Sequence, residues 1–298
     1  SISKNISPTS LVSKGFRHVY PFSKAYKTKV NRDLIRIVKK KKYDLVIFLK
    51  AETINLETVK TIKPHCGKVI NWYMDPIVEL EHNLDFDLIS EFDLFLVKDK
   101  FIEKRLKELG INNVRFLLEA FDPEIYKPIE KDSKYESDVS LVGNIYPYRL
   151  RILKFLQDYN LKVWGQLVNI NKADVSKFYQ GRAAILDEKN KIFNSAKIVL
   201  NTHTPSEVMG TNVRLFEICG SGAFQLSDPT LHTDNIFKSG KEVVYYESVE
   251  ELKKLIDYYL NNKEERNKIA KAGYGRAMKD HTYDKRLSEL FDLLSIRS

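Results

Sequence analysis

Short apolar runs alternate along most of the chain with stretches in which apolar residues recur every three or four positions. The runs at 44–49, 68–73, 92–97 and 114–118 read as strands, and the stretches at 30–41, 56–62 and 101–109 as helices, the last stopped by Gly110. Ahead of them, 10–14 reads as a helix end closed by Gly15 and 16–22 as a short strand. Strands that are apolar throughout, spaced by helices, predict a parallel sheet covered on both faces. The segment 121–136 breaks the pattern with Pro123, Pro128 and a charged run, so a boundary is expected near residue 130. The pattern then restarts, with strands at 138–142, 161–164, 197–201, 223–226 and 242–246. Helices are expected at 150–159 and 249–261, then a helical tail to 294 broken near 280–282. The prediction is α/β: two Rossmann-like, doubly wound domains, 1–130 and 131–298, with the last helix free to return to the first domain.

Composition adds two constraints. The two cysteines, Cys66 and Cys219, stand far apart with no CxxC spacing, which argues against a disulfide framework or a zinc site. No signal segment and no apolar run long enough to span a bilayer is present, so a soluble, cytoplasmic protein is expected. The net charge of +9 is uneven: between Lys24 and Lys42 nine lysines and arginines face the single acid Asp33. Such a stretch suits phospholipid headgroups and hence peripheral membrane contact, a lipid-linked acceptor, an acidic glycan or nucleic acid; it also suits a plain solvated helix face. No aromatic-interleaved RNA motif, zinc finger or basic zipper supports nucleic acid as a partner.

The chemistry concentrates in GTNVRLFEICGSGAFQLSD, residues 210–228. It reads as loop, short helix, tight turn and strand, and a helix start behind small residues presents unpaired amides to a phosphate. Arg214 and Glu217 share one side of that helix: a guanidinium for a diphosphate, and a carboxylate for the two hydroxyls of a ribose. The competing reading is a surface ion pair. Asp75, in VINWYMDPI, stands where a strand runs out, with Pro76 favouring an extended exit. It is a candidate base for an acceptor hydroxyl, or merely a turn cap. His203, just past a strand end, is the one histidine placed for donor contact. Asp85-Phe86-Asp87 has metal-diphosphate spacing but precedes a strand instead of ending one, and no HxH or HExxH appears, so no metal is expected.

The ordered set DVSLVGNIYPYR, LKVWG, IVLNTH, GTNVRLFEICGSGAFQLSD and FKSGKEVVYYESVEELKKLI, preceded by YDLVIFLKAET, VINWYMDPI, FDLFLVKD and LLEAFDPEIYKP, resembles the CgeB-like (spore maturation protein) glycosyltransferases of the GT-B fold. The resemblance covers nearly the whole chain. It implies two domains facing each other across a cleft, with a nucleotide-sugar donor bound mainly by the second and an acceptor (glycan, lipid-linked glycan or protein) mainly by the first. By position it implies donor contacts from Gly143, Asn144, Arg149, Gly210, Thr211, Asn212 and Arg214, with Glu217 on the ribose; Asn201 and His203 as donor contacts and Asp75 as the catalytic residue are expected from the residues themselves. Two departures stand out. Related retaining enzymes space two glutamates as E-x7-E, but Met209 occupies the earlier position, with Glu207 as a possible replacement; and residues 1–14 hold no apolar first strand. A nucleotide-sugar-binding or anionic-surface-binding protein without chemistry is the alternative.

Overall fold

The computed structural model describes residues 24–76, 79–80 and 85–295, so the expected helix end at 10–14 and strand at 16–22 lie outside the described residues. The chain divides into two compact units. Of the described residues, one holds those up to 97 together with 102–116; the other holds 98–101 and those from 117 to 295. The change therefore falls at 116–117, ahead of residue 130. The connector belongs with the second unit because its backbone is bonded there: Phe121 N donates to His281 O at 3.1 Å, and Asn190 and Ser195 bond Lys127 and Asp132.

In the first unit the order is α1 (Lys24–Lys40), β1 (Tyr43–Leu49), α2 (Leu56–Ile62), β2 (Cys66–Tyr73), α3 (Phe86–Glu91), β3 (Leu94–Val97), α4 (Lys100–Glu108) and β4 (Val114–Phe116). The four strands are parallel in the order β1-β2-β3-β4, with Leu49 opposite Trp72 and Trp72 opposite Leu96. Each right-handed crossover steps the same way, which places α2, α3 and α4 on one face. Val69, Tyr73, Phe95, Val97 and Val114 build the core beneath them with Val59, Ile62 and Ile102. A fully buried Phe95 contributes about 2–3 kcal/mol of transfer energy. α3, unforeseen as a helix, starts at Asp85, whose carboxylate accepts from Asp87 N at 2.9 Å. The aspartate spacing there is thus an N-cap.

The second unit runs β5 (Ser137–Val142), α5 (Pro147–Lys154), β6 (Leu161–Trp164), α6 (Leu186–Ser195), β7 (Ala196–Asn201), α7 (Arg214–Gly220), β8 (Gln225–Ser227), α8 (Thr233–Ile236), β9 (Val244–Tyr245), α9 (Val249–Asn261), α10 (Lys263–Asp280) and α11 (Tyr283–Leu293). Its parallel strand order is β6-β5-β7-β8-β9. The chain leaves β5 towards β6, then returns past it to β7, so the crossover direction reverses between β5 and β7. The loops after those two strands diverge to opposite faces, and in open α/β sheets such a reversal opens a crevice at the carboxyl edge. Val139, Leu141, Ile198, Leu200 and Leu226 fill the core against Leu153, Leu252 and Ile256.

Candidate functional site

Two arginines from different elements meet at the reversal. Arg149 lies in the first turn of α5, whose start is set by Pro147, and Arg214 opens α7. Arg149 donates through Nε to Thr202 Oγ1 at 2.5 Å, through Nη2 to Thr202 O at 2.9 Å, and through Nη1 to Asn144 O. Arg214 donates through Nε to Asn201 Oδ1 at 3.2 Å and through Nη2 to the same Thr202 carbonyl at 2.9 Å, where Asn212 Nδ2 adds a third donor at 3.3 Å. Both side chains also crowd Gly143: a Cβ there would lie 2.5 Å from Arg214 Nη1 and 3.2 Å from Arg149 Nη1. Only glycine leaves the guanidiniums their place.

Among the described residues no carboxylate forms an ion pair with either guanidinium, although Arg149 is buried and Arg214 half-buried. Burial, then the like charge of Arg214, holds Arg149 down at about 9. Burial likewise lowers Arg214 against the longer-range pull of Glu207, Glu217, Asp228 and Glu119. A guanidinium stays protonated in proteins, so these shifts measure how unfavourable the positive charge is there without an anion. The backbone N–H groups of Gly210, Thr211 and Asn212 find no acceptor among the described residues, and Asn212 Oδ1 and Asn201 Nδ2 are buried without partners. A cavity of about 210 Å³ lined by Tyr146, Tyr148, Arg149, His203, Thr204 and Pro205 adjoins Arg149.

His203 does not offer a bare ring to this space. Nδ1 faces Asp228 Oδ1 at 2.7 Å and Nε2 faces Thr211 Oγ1 at 2.8 Å. Glu217, one turn into α7, is also engaged: its carboxylate takes the Lys189 ammonium. It retains lone pairs for further donors. Glu207 accepts from Lys98 Nζ at 2.6 Å and from Thr204 N at 3.1 Å. Burial opposes its charge, but Lys98, His203 and the Thr204 amide hold its carboxyl below the usual range. It is a partnered residue that braces the 204–210 loop. Asp99 adds a second brace by accepting from Val208 N at 3.1 Å and Met209 N at 3.0 Å.

Asp75 sits just beyond β2 in the first unit, its carboxylate paired with Lys50. Lys50 and Ala51 both adopt positive φ, 73° and 60°, at the exit of β1. Two consecutive non-glycine residues in this region are strained. Lys50 N donates to Trp72 O at 3.1 Å and Asn71 Nδ2 donates to Lys50 O at 3.2 Å, fixing the step. The structure thus gathers Gly143, Asn144, Arg149, Asn201, His203, Gly210, Thr211, Asn212 and Arg214 around Thr202. Asp228, Lys189, Lys98 and Lys50 escaped the sequence reading. Lys98, Lys50 and Asp228 carried the same signal as Asp75, position at a strand exit; Lys189 is brought in only by folding.

Residues 149–292 match the family model described as glycosyl transferase-like. Spore protein CgeB of Bacillus subtilis (strain 168) is 25% identical over 266 residues, covering 81% of this chain and 76% of the relative. Among solved structures, Anabaena HepE in complex with UDP and glucose superposes with a TM-score of 0.65 at 10% identity, covering 94% of this chain and 83% of that one. Sucrose-phosphate synthase from Thermosynechococcus elongatus superposes at 0.64 with 11% identity, covering 91% and 80%. At such identities the structural likeness speaks for the fold.

Proposed function

We propose that this chain, which is similar to spore protein CgeB and has the GT-B fold, is a glycosyltransferase that moves a sugar from a nucleoside diphosphate donor held at the β5–β7 reversal to a hydroxyl of a glycan, lipid-linked glycan or protein. The observation that carries the reading is the pair Arg149, buried, and Arg214, half-buried, without a carboxylate partner among the described residues. An anion with two phosphates offsets both charges and takes up the free amides of 210–212, and the developing charge on the leaving diphosphate meets a field already in place. The HepE structure with UDP and glucose supports a nucleotide sugar as the kind of donor. Glu217 accepts from the ribose, and the cavity beside Tyr146 and Tyr148 receives the sugar. The guanidiniums supply the positive charge, so the reaction needs no metal. Asp75 takes the proton from the attacking hydroxyl, with Lys50 holding the carboxylate in place. The basic stretch ending in Lys39–Lys42 brings the protein to an anionic surface.

The test is calorimetry with UDP, GDP and dTDP, followed by release of nucleoside diphosphate from a panel of nucleotide sugars in the presence of EDTA. Binding of one diphosphate and its release from the matching sugar nucleotide is expected. Asp75→Asn should then abolish turnover while donor affinity and melting temperature hold. Binding without release from any sugar nucleotide favours the non-catalytic alternative.

A further inference from the structure

We propose that His203 is a positioning residue that fixes Thr211, and through it the 210–212 loop, by a carboxylate–imidazole–hydroxyl chain running Asp228, His203, Thr211. The inference rests on the reading of that loop as the diphosphate side of the donor site, and it concerns how the loop is held.

Three loops at the carboxyl edge of the second sheet converge on one imidazole. His203 follows β7, Asp228 follows β8, and Thr211 belongs to the loop that leads into α7. Asp228 accepts from the His203 backbone N–H at 2.8 Å and from ring Nδ1 at 2.7 Å, so backbone and side chain are gripped by one carboxylate. His203 is 4% exposed and Thr211 1%, and water does not compete for either contact.

Because an ionised carboxylate can only accept, the proton on the neutral ring belongs to Nδ1. Nε2 is then an acceptor, and the group 2.8 Å away is the Thr211 hydroxyl, which must donate to it. The hydroxyl hydrogen is therefore committed to the imidazole. Thr211 cannot turn it towards an arriving phosphate, and the phosphate is left to the backbone amides. The same bond stops the loop from rotating, since Gly210 on its other side is confined by Lys98 O and the Asp99 side chain, which a Cβ at 210 would approach to 2.9 and 3.0 Å. Thr230 Oγ1 donates to Gly210 O at 2.7 Å and closes the remaining side. A loop locked in this way meets the diphosphate without reorganising. Towards the diphosphate, His203 acts through Thr211.

The wild-type ring at pH 8, observed by nitrogen NMR of histidine-labelled protein, should carry its proton on Nδ1. Asp228→Asn removes the carboxylate with little change in shape and leaves the Asp228 main-chain carbonyl 3.1 Å from Nδ1, so the share of the Nε2–H form should rise above that in the wild type. UDP is the probe for affinity, with GDP and dTDP run beside it and the tightest of the three used throughout. Asp228→Asn and Thr211→Val should each weaken it about tenfold at unchanged melting temperature, and Thr211→Ser should recover affinity to within about threefold of wild type. An Nε2–H ring in the wild type overturns the proposal. So does a wild type that binds the probe while Thr211→Val binds it equally well. Should the wild type bind none of the three diphosphates, the donor-site reading fails, and this inference with it.

Discussion

At the scale of single residues the site is a matter of which charges are answered. Thr202 O takes hydrogen bonds from Arg149 and Arg214 at the same 2.9 Å, so the two guanidiniums occupy one place. Replacing either by Ala should weaken nucleoside diphosphate binding by about 1.5–3 kcal/mol, the range of charge-assisted hydrogen bonds. The double variant, measured by the same calorimetry, should fall short of the sum, because each change relieves the repulsion felt by the survivor. Full additivity would place the arginines at separate sites. Glu217 carries a second burden that its position in the sequence does not disclose. Lys189 is buried and its ammonium is disfavoured by desolvation, with Glu217 pulling the other way. Glu217→Gln therefore strands a buried cation, and a loss of about 2–3 kcal/mol in denaturant unfolding is expected. Adding Lys189→Met should restore stability. If Glu217 also binds ribose, nucleotide affinity stays low in that stable double variant; recovered affinity would remove Glu217 from the donor site.

Whole elements were legible where apolar periodicity carried them. The helices Leu56–Ile62 and Val249–Asn261 and the strand Leu161–Trp164 lie at their expected limits. α6 lies where the apolar pattern predicts no element, because its buried face is partly polar. Asn190 and Ser195 are 3% and 2% exposed, and they answer the backbone of the 127–132 connector, so no apolar stripe announces the helix. Lys189 came with it unseen. The break at 280–282 was visible, but not the work done there. His281 ends α10, its Nδ1 faces Arg286 Nη2 at 3.2 Å, and its ring lies 5.1 Å from Phe216 and 5.0 Å from Phe237, tying the break to α7. Burial, then Arg286 and Arg276, pushes His281 from 6.5 down to about 4. The folded group is thus harder to protonate than the unfolded one. As pH falls the unfolded chain takes the proton first, so stability is fully present above about 6.5 and is lost towards 4. The loss is roughly 3 kcal/mol. Thermal melts should drop by about 5–10 °C across that window beyond the loss seen in His281→Gln, which has no proton to gain. Parallel curves for the two proteins would mean that His281 does not govern the acid limb.

Over the whole molecule the excess positive charge is concentrated, and the fold decides how much of it is available. The sequence places nine basic residues against Asp33 between Lys24 and Lys42. In the structure Asp33 pairs with Lys29 at 3.0 Å and with Arg36 at 3.4 Å, while Lys39, Lys40, Lys41 and Lys42 form no ion pair among the described residues. These four lysines, with Val38, Pro64 and His65, line a concavity of about 370 Å³ at the end of α1. They stand at the entry of β1, whereas Lys50 and Asp75 mark the exits of β1 and β2, so the basic concavity and the Lys50–Asp75 pair lie at opposite edges of one sheet. Each lysine near an anionic surface is worth about 1 kcal/mol, and the attraction decays within a Debye length of about 8 Å at physiological salt. Flotation with vesicles containing anionic phosphatidylglycerol should therefore recover the protein at 50 mM salt and release it at 500 mM, with no recovery on phosphatidylcholine alone. Changing Lys39–Lys42 to Gln should abolish flotation and leave diphosphate affinity untouched, because the arginine site belongs to the other unit. Flotation that survives the fourfold change would mean that the charge between Lys24 and Lys42 is only a solvated helix face.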